Sequence, residues 1–265
     1  MTGLTLNWAA LDPALLIPPL LVGILVLTTH VPLGQRVLSR GIIFLDLAVA
    51  QLAVLGVIVA RTLGWETQGW QTQLAATSAA LIGAALLAGC ERRWPEIQEA
   101  LIGSTFVVAA SLAVLLLSHD PQGGEHLNEL LTGQILWVST AHIFYLAGLY
   151  AVLLAIWGVL RERVGRMGFY LIFALAITAS VQLIGVYLVF ASLILPALAT
   201  RNRTGPQALL WGVGLGSIAY ALGLILSALI DLPGGPSIVL VLAAMALLAG
   251  NMRIRISRSG WFPPS

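Results

Sequence analysis

The chain has 265 residues, 59% of them hydrophobic and 9% charged, with a mean hydropathy of +0.96. Water-soluble domains carry about 25% charged residues, so this composition excludes an ordinary soluble enzyme and points to a protein embedded in lipid. The net charge of +2 sets 13 basic against 11 acidic residues. Every basic residue is Arg, and without a Lys no phosphate-binding glycine loop closed by Lys can be built.

A spanning helix takes roughly 20 apolar residues, which leaves no room for a separate soluble domain. Residues 1–265 are therefore read as one transmembrane domain, all-α, with about eight to nine transmembrane helices. The stretch Met1 to Asp12 lacks a basic leader, so the first apolar run, at about 14–33, is expected to be a retained span. Further runs follow at about 42–61, 73–90, 100–118, 142–160, 169–200, 208–230 and 237–252. The run 169–200 is too long for one pass and is flanked at both ends by arginines; it reads as one helix up and a short one back, giving nine passes. The single cysteine, Cys90, excludes an intramolecular disulfide.

With nine passes, Arg36, Arg40, Arg92, Arg93, Arg161, Arg163, Arg166, Arg201, Arg203, Arg253, Arg255 and Arg258 share one side, and Arg61 alone lies opposite. The positive-inside bias assigns the arginine-rich side to the cytoplasm, with the N-terminus outside and the C-terminus inside. Trp8, Trp65, Trp70, Trp137, Trp157 and Trp211 fall near run ends, where indole rings prefer the headgroup zone. Pro18, Pro19 and Pro196 interrupt apolar runs, which is tolerated where protein or a cavity satisfies the freed carbonyls.

Asp46 is the one carboxylate that these runs place inside the membrane, at a cost of roughly 3 kcal/mol on insertion scales. It is either a transient cation site or a carboxylate near a helix start, paired with Arg36 or Arg40 or stabilised by the helix dipole. Gln51 follows five positions later, about 140° around a helical wheel, so the two do not share a face. After residue 118, His119, Asp120, Glu125, His126 and Glu129 gather in an external loop. Imidazole with carboxylate suits zinc, manganese and their neighbours, while the same residues also make a polar docking or solvating loop. His30 reads as an interfacial or packing residue at the cytoplasmic end of the first span. No nucleophile with a base partner and no HExxH spacing is visible, so intramembrane catalysis has no support and the chain is expected not to be an enzyme.

Five collinear stretches, VLSRGIIFLDLAVAQLAVLG (37–56), EIQEALIGSTFVVAASLAVLLLS (96–118), LNELLTGQILWVS (127–139), VQLIGVYLVFASLILPALAT (181–200) and GGPSIVLVLAAMALLAG (234–250), resemble the permease subunits of zinc/manganese-type ATP-binding-cassette importers. The resemblance implies a type II importer-like permease in a bacterial inner membrane. It also implies a second permease copy, cytoplasmic ATPase subunits that use the ATP, and a periplasmic or extracellular metal-binding protein. The cargo would be a divalent metal, with no cofactor held by this chain and no nucleic-acid partner; membrane lipid is the surrounding solvent. RERVGRMG (161–168) looks like the family's coupling segment, which points to Arg161, Glu162, Arg163 and Arg166 as the ATPase contact, although a positive-inside loop would carry the same arginines.

The family's second-span motif has an Asp followed four residues later by His. Anchored on Gly56, this chain has Leu47 and Gln51 at those positions and Asp46 one place early. Either a local break re-aims Asp46 toward the path or the site is built differently, with Gln51 supplying a neutral oxygen that tolerates hard ions. Two other classes compete: a secondary transporter using Asp46 as its proton or sodium site, and a membrane enzyme or sensor holding a structural metal through His119 and His126.

Overall fold

The computed structural model describes residues 10–66, 69–118, 120–159 and 165–249. These residues form nine α-helices and no strand: α1 (Pro13–Arg40), α2 (Leu45–Thr62), α3 (Trp70–Arg93), α4 (Gln98–Leu117), α5 (Gly123–Thr132), α6 (Thr140–Val159), α7 (Arg166–Ala199), α8 (Gly205–Ile230) and α9 (Gly234–Ala249). Helices satisfy every backbone N–H and C=O within the segment, as hydrocarbon demands. Seven of the nine, all but α5 and α9, are long and apolar enough to cross a bilayer.

Helix α1 begins where Asp12 accepts the Ala14 N–H at 2.8 Å and ends at Gly41, whose φ of 71° is left-handed. It continues past the apolar run that stops at residue 33. Hydropathy marks where lipid ends, whereas the cap marks where the backbone leaves the helix, and residues 34–40 lie between the two.

The doubling-back expected in 169–200 occurs inside α7. At Gly185 the backbone is non-helical, with φ 78° and ψ 162°. Contacts with α1 establish the reversal: His30 Nε2 lies 3.0 Å from Ser180 Oγ, before the interruption, while Gly34 packs against Leu193, after it. Four residues of α1 rise about 6 Å, whereas thirteen residues of straight helix would span about 20 Å. The legs 166–184 and 186–199 therefore run in opposite directions along α1. With the two legs counted and α9 added, the described helices give nine apolar segments; the second leg and α9, about 21 and 24 Å long, are shorter than the roughly 30 Å hydrocarbon core.

Helix α1 packs against α6, α7 and α8; α2 packs on α3, α4 and α7, and α9 on α8 and α7. Small residues set these separations, as membrane packing favours: a Cβ on Gly56 would stand 2.7 Å from the Ala75 carbonyl oxygen of α3.

The arginine-rich end ties five helices together. The Phe44 N–H donates to Glu99 Oε1 at 3.2 Å, Gln98 Nε2 donates to the Tyr170 hydroxyl at 2.6 Å, Arg166 pairs with Glu91 at 3.4 Å, and the Arg40 guanidinium lies 4.4 Å from the Phe169 ring centre. At the opposite end, most of the expected loop 119–129 belongs to a short helix, α5. Leu127, Leu130 and Leu131 recur at helical spacing and pack on the core, which gives this polar stretch an anchored apolar face. Beyond α5, the Gln134 N–H donates to the Leu183 carbonyl at 3.3 Å, and Gly133 abuts Ile184.

Candidate translocation site

Asp46 stands in the first turn of α2, where Phe44 offers no side-chain cap. Its side chain is 0% exposed and neither carboxylate oxygen has a hydrogen-bond partner. The arginine pairing is absent: among the described residues the ion pairs are Arg166–Glu91 and His126–Glu129, while Arg36 and Arg40 lie over Trp157 and Phe169. A charge enclosed without a partner costs several kcal/mol, and the helix N-terminus returns only about 0.3–1 kcal/mol. The rest of that cost falls away only when a proton or a cation neutralises the carboxylate.

Gln51 is also buried, at 2% exposure. Helix α2 is regular from Leu45 to Thr62, so no break re-aims Asp46. The pair stays about 140° apart on the wheel and does not form a one-faced ligand pair. On α7, which packs on α2, Thr178 Oγ1 and Gln182 Nε2 are likewise shut in without partners, at a spacing of four that places them on one face.

Of the external candidates, Asp120 and His126 are engaged within the protein. Asp120 Oδ1 accepts the Gln122 N–H at 2.9 Å and shapes the turn into α5, and Glu125 lies in its first turn. His126 receives the Arg61 guanidinium at Nε2, which leaves Nδ1 facing Glu129 Oε2 at 3.8 Å. Arg61, the one arginine at this end, thus ties α2 to α5. Among the described residues no group of three or more His, Cys, Asp or Glu is arranged to hold a metal ion. His119 lies outside the described residues.

Of the coupling segment, Arg161, Glu162 and Arg163 also lie outside the described residues. Arg166 opens α7 and pairs with Glu91 at the end of α3, its side chain 50% exposed.

Of the two readings of His30, interfacial or packing, the packing one holds, and the structure adds its partners. His30 is not interfacial but fully buried, with Nδ1 within 3.1 Å of Thr29 Oγ1 and 3.0 Å of the Val26 carbonyl oxygen, and Nε2 against Ser180. Ser180 and Tyr150 both donate to the Ala176 carbonyl, at 3.0 and 3.3 Å. This network joins α1, α6 and α7 within the bundle. A polar cluster Thr28-Thr29-His30 inside an apolar run was the available signal, but nothing in it names residues 150 and 180 as partners.

Residues 13–164 and 159–253 match the ABC 3 transport family. The chain is 23% identical over 188 residues to a protein named as a metal transport system membrane protein of Chlamydia muridarum (strain MoPn / Nigg), a match that spans 63% of each sequence. Among solved structures, the fold is similar to PsaBC from Streptococcus pneumoniae in complex with Fab, with a TM-score of 0.71 and 21% identity over 89% of this chain and 90% of that one. It is also similar to a transporter described as of the metal-chelate type in an inward-facing conformation, with a TM-score of 0.66 and 15% identity over 88% of this chain and 84% of that one.

Proposed function

Because this chain belongs to the ABC 3 transport family, we propose that it is the membrane permease subunit of an ATP-binding-cassette importer for a divalent transition metal ion, zinc or manganese, driven by separate ATPase subunits. The names of the similar proteins, one a metal transport protein and one a metal-chelate type transporter, support the cargo class. In this reading the permease is non-catalytic and works as a homodimer in the bacterial inner membrane, with its arginine-rich end in the cytoplasm, its N-terminus outside and its C-terminus inside. A binding protein delivers the ion to the outer face near α5 and residues 62–72.

The observation that carries the ion-transport reading is Asp46, an enclosed carboxylate without a partner in a spanning helix. One carboxylate, with Gln51 acting separately along the path, binds weakly enough to release; a closed four-ligand cage would not. Motion enters at residues 161–168. Arg166 passes it to α3 through Glu91, Phe169 passes it to α1 through Arg40, and the first leg of α7 carries it to Gly185 beneath α5. ATP-driven closure of the partner subunits would tilt this leg and exchange outward for inward access.

Replacing Asp46 with Asn keeps the shape and removes the charge. We expect metal uptake by cells or proteoliposomes to fall by at least about tenfold, the equivalent of ~1.4 kcal/mol, with membrane-inserted protein at the wild-type level. Unchanged uptake would reject Asp46 as a transport ligand. Uphill accumulation by proteoliposomes holding this chain alone, without nucleotide, would reject the importer reading in favour of a secondary transporter.

A further inference from the structure

Two neighbouring residues at the start of α4 bind different helices. Gln98 Nε2 donates to the Tyr170 hydroxyl of α7 at 2.6 Å, while Glu99 Oε1 accepts the Phe44 N–H at the head of α2 at 3.2 Å. On the α7 side the hold is double. Arg166 lies one turn before Tyr170 on the same face of α7, and it pairs with Glu91 near the end of α3 at 3.4 Å. Arg166 and Tyr170 thus grip both sides of the turn that joins α3 to α4, where the coupling segment runs into α7.

On the α2 side, Glu99 supplies what the sequence around Phe44 lacks. Phe44 is the capping residue of α2, and its side chain makes no capping hydrogen bond. In a capping box, the N–H of the capping residue is accepted by a Glu or Gln at the third position of the same helix. Here that position is Leu47, and the carboxylate comes from α4 instead. Asp46 is the second residue of the turn closed in this way, 0% exposed and with both oxygens unpartnered.

We propose that Glu99 is a positioning residue for Asp46: by capping α2 from α4 it keeps the Asp46 turn wound, and it frees that turn when α7 draws Gln98 away. Consecutive Cα atoms are held about 3.8 Å apart, so a displacement of α7 that carries Gln98 carries Glu99 with it. Once the cap is withdrawn the first turn of α2 frays, and Asp46 opens toward the arginine-rich end, the side to which an importer delivers. The source of the motion rests on the importer reading; the cap does not.

The test has a labelling arm and a transport arm. For labelling, the full-length chain with its partner ATPase is held in inverted membrane vesicles, with Cys90→Ser so that Leu45→Cys supplies the single thiol. Leu45 opens α2 and is 0% exposed, so a membrane-impermeant maleimide added from the arginine-rich side reports fraying of the turn. Glu99→Ala, which deletes the acceptor, should raise the labelling rate about fivefold, the equivalent of the ~1 kcal/mol typical of a lost cap. In the complex reconstituted with its binding protein, the same substitution should lower the zinc or manganese moved per ATP by about the same factor. Glu99→Gln keeps an accepting oxygen and should hold both readouts near the parent. Gln98→Leu should leave resting labelling low but suppress the rise that ATP causes in the parent. Gel filtration checks that each variant remains folded. Unchanged labelling in Glu99→Ala, or an equal rise in Glu99→Gln, overturns the proposal. An undiminished response to ATP in Gln98→Leu overturns it too, as does unchanged metal per ATP in Glu99→Ala. Full uptake in Asp46→Asn would instead reject Asp46 as a transport ligand, and the labelling arm, which involves no metal, would still decide the cap.

Discussion

Gly185 is where one substitution tests the whole arrangement of α7. Its φ of 78° and ψ of 162° lie in a region essentially restricted to glycine, and an L-residue held there costs about 1–3 kcal/mol. In addition, a Cβ at Gly185 would stand 2.7 Å from the Leu131 carbonyl oxygen and closer still to the backbone of Thr132 and Gly133. Those atoms cannot easily retreat, because Gly133 has a φ of 74° and itself abuts the Ile184 backbone. Forcing a methyl group into such packing costs about another 1–3 kcal/mol. Gly185→Ala should therefore lose about 2–6 kcal/mol, a large share of the 5–15 kcal/mol typical of a folded protein. The assay is reversible unfolding in mixed micelles by SDS titration, followed by circular dichroism. Gly103→Ala in α4, where a Cβ meets nothing within 4 Å, is the control; it should be neutral or stabilise by up to about 1 kcal/mol. If Gly185→Ala unfolds within about 0.5 kcal/mol of its parent, the expected size of an inconsequential substitution, the corner is not built as described.

Two further outcomes are expected. Ser180→Ala removes the partner of His30 Nε2 and should cost about 0.6 kcal/mol, the average for hydrogen bonds between membrane helices, and no more than about 1.7; a double-mutant cycle with His30→Ala that shows strict additivity would remove the pair from the account. Reversing charge at Arg161 and Arg163 together should leave the membrane level intact but uncouple partner ATPase activity from metal uptake in the reconstituted complex. Wild-type coupling in that variant would assign both arginines to topology alone.

Much of the architecture is legible from hydropathy and arginine placement because a bilayer imposes two simple requirements, about 20 apolar residues per crossing and a preferred side for positive charge. Even the reversal inside 169–200 follows from its excess length and flanking arginines, although only Gly185 gives it a location. The presence of the Asp46 carboxylate within a span is equally legible, since it depends on local sequence. Partnership is not. That Arg61 meets His126, that Asp46 has no arginine while Arg36 and Arg40 lie over aromatic rings, and that His30 finds Ser180 all depend on how helices far apart in the chain are rotated and set beside one another. The helical period places a residue on a face of its own helix, but the neighbour that face meets is chosen by packing across the bundle, through side chains that no local stretch of sequence contains.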